Sequence, residues 1–141
     1  MAMTENAKEY IDRMLGGVKP PLLATDPEFI ERFANFAYDE VVNEEGQQLD
    51  DPTRFMAILA TLLGCQGVDL FRSMLPAAIN FGVTPIAARE IVYQATAYLG
   101  LGRTLPFIQA MNETFAARGI QLPLEDQGTT TRGDRVEKGE A

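Results

Sequence analysis

Few side chains in this sequence are able to do chemistry, and two groups of them share a helix face. Glu90, Gln94 and Tyr98 follow an i, i+4, i+8 spacing, which on a helix sets them within about 80° of one another. A glutamate so placed can take a proton as general base, while a tyrosine hydroxyl donates to a carbonyl or to developing negative charge. The same row also borders the apolar face of Ala87, Ile91, Ala95 and Leu99, where a polar edge simply divides core from solvent. Arg54, Thr61 and Cys65 form the second group, a narrow polar strip on an otherwise apolar segment. The planar fork of Arg54 suits a carboxylate. Its alternative is structural, with the stem packed on the core and the head in water. Met74 stands at the centre of an apolar face, the usual place of a core-filling thioether.

What the sequence lacks narrows the chemistry further. No histidine occurs among the 141 residues, which removes Ser-His-Asp and Cys-His nucleophiles and every imidazole metal site. Cys65 is the single cysteine, so an internal disulfide, a CxxC pair and a cysteine zinc cluster are excluded. No metal and no cofactor are expected. Twenty acidic residues against twelve basic ones give a net charge of −8, which argues against capture by nucleic acid or an anionic membrane. The longest apolar stretch, Ala57–Cys65, is interrupted by Thr61 and Gly64 and is too short to cross a bilayer. Met1-Ala2-Met3-Thr4-Glu5 has neither the basic start nor the apolar segment of a secretory signal, and a cytoplasmic protein is expected.

Helical periodicity dominates the elements that must position these groups. Asp26-Pro27, Asp51-Pro52 and Thr84-Pro85 each put a capping oxygen before a proline at the first helical position. Glycines 46, 82 and 119 follow periodic segments as stop signals. The pattern predicts six helices, near 4–15, 27–44, 52–65, 68–81, 85–99 and 104–118, in an all-α fold. Over 27–44 the expected apolar stripe is Phe29, Ile30, Phe33, Ala37 and Val41. Segment 52–65 is apolar almost all round and should be central, and 68–81 should bury Leu70, Phe71, Met74, Ala77, Ala78 and Phe81. Eight phenylalanines are a heavy load for a helical core of this length, so some should stay on the protomer surface and meet a second copy. From about residue 121 the composition turns polar and glycine-containing, and 121–141 reads as a poorly ordered tail or linker.

Segment 49–119 resembles the carboxymuconolactone decarboxylase family, which includes the alkylhydroperoxidase D branch. The residues that carry the resemblance are Asp51-Pro52-Thr53-Arg54, Asn80-Phe81-Gly82-Val83-Thr84, then Glu90, Gln94 and Tyr98-Leu99-Gly100. It implies an alkylhydroperoxidase D-like bundle of about six helices, assembled as a homo-oligomer from dimer to hexamer with pockets near subunit contacts. The chain then divides into an N-terminal helix and extension (1–25), a family-like helical core (26–120) and the tail (121–141). The peroxidase branch uses a glutamate, a CxxC pair and a histidine ahead of the Gly-Val-Thr turn. Counted back from Gly82, those places hold Phe55, Gly67, Leu70 and Met74, so the thiol motif is absent.

The resemblance implies a protein that binds or transforms a small organic acid, lactone or carbonyl compound without thiol chemistry, a lyase if it is an enzyme. Glu90 and Tyr98 are then the expected catalytic pair, and Arg54, Gln94 and Met74 the substrate contacts. A non-catalytic helical oligomerisation module is the alternative, and alkylhydroperoxidase activity follows from family membership alone. One cysteine without a partner cannot cycle between thiol and disulfide within one chain. The purified protein is therefore expected to reduce organic peroxides no faster than a free thiol. Faster turnover that disappears in Cys65→Ser would contradict this.

Overall fold

Residues 2–125 are described by the structure, a computed structural model. The described residues hold seven α-helices and no strand: α1 (Glu5–Leu15), α2 (Leu22–Thr25), α3 (Pro27–Asn35), α4 (Asp51–Gly64), α5 (Val68–Asn80), α6 (Pro85–Leu99) and α7 (Leu101–Ala117). The all-α class expected from periodicity is the class found. The short α2 was not anticipated, because four residues are too few to display a period. Helix α7 begins at Leu101 rather than near 104, with Gly100 as its N-cap residue. The expected disorder of the polar tail falls on 126–141, outside the described residues. Leu124, within the stretch read as tail, is buried against the core.

Helix α4 packs on α5 and α6, and α7 packs on the same two. The four enclose Phe55, Leu59, Phe71, Phe107 and Phe115, all fully buried. Phe71 and Phe107 meet edge to face, with centroids 5.1 Å apart. Helix α4 is central as its circumferential apolarity requires. Its cap differs from the one expected: Asp50, not Asp51, accepts from the Thr53 N–H at 2.9 Å, which puts Pro52 at the second helical position. Asp26 also fails to cap, since its carboxylate accepts from the Thr25 hydroxyl instead. Thr84 caps α6 as expected, accepting from Ala87 N–H at 3.1 Å.

The segment expected as one helix over 27–44 is where sequence and structure part. Helix α3 stops at Asn35 and gives way to a π-helical turn, Phe36–Glu40, closed by Val41 N–H donating to Phe36 C=O at 2.9 Å. A π turn carries one residue more than an α turn, so every later side chain rotates to a new face. Ile30, Ala34 and Asn35 point inward before it, and Val42 rather than Val41 is buried after it. Phe29 and Phe33, which precede the turn and lie off the buried face of Ile30 and Ala34, are exposed, as is Phe36, with Phe29 at 61%. Leu70 is half exposed as well, while Leu75 takes the buried place on α5.

Side-chain hydrogen bonds fasten this irregular segment to α1. Asn35 accepts from Thr4 N–H at 2.8 Å and donates to Ala2 C=O at 3.0 Å. Asp39, inside the π turn, accepts from the Thr4 hydroxyl at 2.7 Å and from the Asn6 amide at 3.0 Å. Thr4 also accepts from Ala7 N–H and so caps α1. One asparagine and one aspartate thereby fix where α1 starts relative to the turn that follows α3.

Candidate functional site

A cavity of about 340 Å³ opens between α1, the π turn, α4 and α5. The volume is at the small end of the range that holds organic ligands. Phe33, Phe36, Ile58, Leu70 and Met74 form much of its wall. Three of the lining side chains carry a polar group: Tyr10, Tyr38 and Arg54. Arg54 is the only charged residue among the described ones that line it.

Each polar group is placed by a local feature of the chain. Tyr10 shares the inward face of α1 with Ala7, Ile11 and Met14, at helical spacing. Its ring stacks on Tyr38 (5.5 Å between centroids, 12° between planes) and lies 4.9 Å from Phe81 and 6.4 Å from Phe55. The π turn brings Tyr38 to this stack, together with Phe36 and Ala37 on the cavity wall. Arg54, in the first turn of α4, donates to the Gln47 side chain at 2.5 Å.

Burial governs the two phenols. Tyr10 is 8% exposed, and its hydroxyl is buried with no hydrogen-bond partner. A buried hydroxyl left unpaired costs about 1–3 kcal/mol, so a polar group in this condition calls for an explanation. Its pKa is raised, first by burial and then by the nearby Asp51 carboxylate, against the opposing charges of Arg54 and Arg13. Tyr38 is pushed up to about 12, chiefly by burial and further by Tyr10. Both phenols keep their protons at neutral pH and can serve as donors.

Of the residues expected at the site, Arg54 and Met74 both line the cavity. Glu90, Gln94 and Tyr98 do not: they are exposed on α6, Tyr98 to 90%. The face of α6 turned inward is that of Ala88, Ile91 and Val92, and the polar row lies outside it. Within one protomer this row and Arg54 do not share a cavity. Leu70 and Met74, standing where the resemblance puts a thiol and an imidazole, are both on the cavity wall, while Phe55 is buried in the core. Cys65 is exposed. Tyr10 and Tyr38 were not singled out from the sequence. Tyr10 could have been found as the one polar member of the α1 apolar face. Tyr38 could not, because a 3.6-residue period does not survive the π turn.

A model of the carboxymuconolactone decarboxylase family matches residues 27–113. That is more than half of the chain, and the chain belongs to this family. No curated protein and no solved structure matches it significantly. The matched segment runs from α3 into α7 and contributes Tyr38, Arg54, Leu70 and Met74 to the cavity. Tyr10 lies ahead of it, on α1. None of the helices in the described residues is long and apolar enough to cross a membrane.

The perturbed groups predict opposite effects at the two ends of the pH scale. Hydrogen bonds from Thr4, Asn6 and Asn43 hold the Asp39 carboxyl below its ordinary value of 3.8, and the Thr53 contacts do the same for Asp50. Stability from these groups is present above the unfolded pKa and is lost as pH falls through the folded one. Tyr38 acts in the other direction, with a folded pKa above the unfolded 10.0, so its contribution is full below pH 10 and declines as pH rises toward 12. Thermal melts across pH should fall at both ends, and Tyr38→Phe should flatten the alkaline limb. Tyrosine absorbance placing Tyr38 near 10 would contradict the burial argument.

Proposed function

We propose that the cavity binds a small organic acid, lactone or related carbonyl compound, with Arg54 gripping its acidic group. The observation that carries this reading is one guanidinium in the wall of an otherwise apolar, ligand-sized cavity. Arg54 is half-buried and has a single protein partner, Gln47, which leaves other N–H groups of its fork for a carboxylate. Chemistry at such a site uses phenol and guanidinium groups, not thiol or imidazole.

Glu90 as proton carrier and Tyr98 as donor enter this reading only across a subunit contact. The proposal therefore includes a homo-oligomer, supported by Phe29, Phe33 and Phe36 exposed beside the cavity and Tyr98 and Leu101 exposed on α6 and α7. The second reading, a non-catalytic oligomerisation module of the same fold, is favoured by one fact. No carboxylate among the described residues lines the cavity, so the protomer alone has no general base there. Cytoplasmic placement completes the proposal.

Two measurements test it. Arg54→Met should weaken binding of benzoate at least about tenfold, the loss of a charge-assisted hydrogen bond, while moving the thermal midpoint little. Equal affinity in wild type and variant would remove Arg54 from the site. Light scattering at micromolar concentration should give a mass above one protomer, and a monomer would refute the assembly.

A further inference from the structure

The loop between the π turn and α4 is rich in acid, and Glu44, Glu45, Asp50 and Asp51 all stand shortly before Arg54. Any of them would suit a guanidinium. The side chain that reaches it is none of these but Gln47, whose amide oxygen accepts from Arg54 at 2.5 Å. Asp50 is taken by the Thr53 N–H and Asp51 by Arg13, while Glu44 and Glu45 form no ion pair among the described residues. A tight turn places Gln47. Its N–H donates to Glu44 C=O at 3.2 Å, and Gly46 supplies the positive φ, 79°, that the third residue of such a turn adopts. Gln47 is exposed and does not line the cavity, so it acts on the site only through Arg54.

We infer that Gln47 is a positioning residue for Arg54 and sets the charge preference of the cavity. It holds the guanidinium through a neutral oxygen, so the site selects an anion over a neutral compound of the same shape. This rests on the reading of Arg54 as the acid-binding group and adds to it the residue that keeps that group oriented and unneutralised. An amide oxygen and a carboxylate can both hold a guanidinium by hydrogen bonds, but only the carboxylate cancels its charge. Arg54 also stands in the first turn of a helix, where the dipole disfavours a cation and favours an anion. It is half-buried, so its charge is screened less than at full exposure. A carboxylate in place of the Gln47 amide would oppose an anionic ligand twice, by occupying Arg54 and by direct repulsion. A neutral ligand would meet neither effect.

The test is calorimetric titration of the full chain with benzoate and benzamide, which are close in shape and differ in charge. Wild type should bind benzoate about tenfold more tightly than benzamide. Gln47→Glu exchanges an amide for a carboxylate, and should remove that advantage while leaving the benzamide affinity and the thermal midpoint unchanged. Gln47→Met keeps the length of the side chain without the acceptor, and should weaken benzoate about threefold without affecting benzamide, because the fork is no longer oriented. A merely structural role would move both ligands together, so the ratio of the two affinities decides. Should Gln47→Glu misfold, Gln47→Met is read by the same ratio. A benzoate preference that survives Gln47→Glu, or one that Gln47→Met leaves at its wild-type value, would overturn the inference while acid binding by Arg54 stands. A wild type that binds neither compound, or does not prefer benzoate, would sink both.

Discussion

The ring of Tyr10 is held by Tyr38 on one side and by Phe55 and Phe81 nearby, and this aromatic contact joins α1 to the rest of the molecule. Phe55 and Phe81 are themselves stacked, 4.6 Å apart, at the junction of α4 with the end of α5. Without the Tyr10 contact, α1 would reach the main core only through Met14 and the partly buried Leu15. The cavity depends on the same contact, because α1 forms one of its walls. Burying a tyrosine there in place of a phenylalanine sacrifices hydrogen bonding with water for no gain inside the protein.

The π turn is the second requirement, and it depends on polar groups instead of apolar ones. An extra residue in a helical turn weakens regular bonding and is retained where neighbouring groups favour it. Asp39 supplies that here, with two contacts to the start of α1 and a third to Asn43 at 3.0 Å. Asn35, buried at the last position of α3, binds the backbone at Ala2 and Thr4. The hydrogen bonds set the position of α1, and the turn sets the rotation of Tyr38. The stack of two phenols forms only when both are right.

These dependences explain how far the sequence could be read. The central place of α4 was legible because Phe55, Leu59, Leu62 and Leu63 leave it hardly any polar face. Arg54 and Met74 were legible because a strip or a face places them by local period alone. The single stripe from Phe29 to Val41 does not survive, because the period was continued through a turn that breaks it and buries Val42 in place of Val41. Nothing in Phe36-Ala37-Tyr38-Asp39-Glu40 marks a π turn. Its cause lies some 35 residues away in Thr4 and Asn6, and pairings at that separation leave no trace in a local pattern. Glu90, Gln94 and Tyr98 were grouped correctly on one helix edge, yet spacing cannot say whether an edge meets a cavity, solvent or another subunit.

Charge allocation at the start of α4 accounts for the availability of Arg54. Two aspartates, Asp50 and Asp51, precede it, and either is a ready partner for a guanidinium three or four residues on. Asp50 is occupied by the Thr53 N–H, and Asp51 by Arg13 of α1 at 2.9 Å. The Arg13 guanidinium also lies 4.3 Å over the Phe81 ring, which keeps it on that side of the helix end. An ion pair with both partners substantially exposed adds little stability, on the order of 0–1 kcal/mol. Its consequence here is electrostatic. By neutralising Asp51, Arg13 reduces the repulsion an anionic ligand would meet beside the cavity and leaves Arg54 with only a neutral amide to hold. The N-terminal end of α4 adds positive potential in the same place. A helix that precedes the family segment therefore contributes twice to the site, through Tyr10 in the cavity wall and through the charge of Arg13 one turn further along.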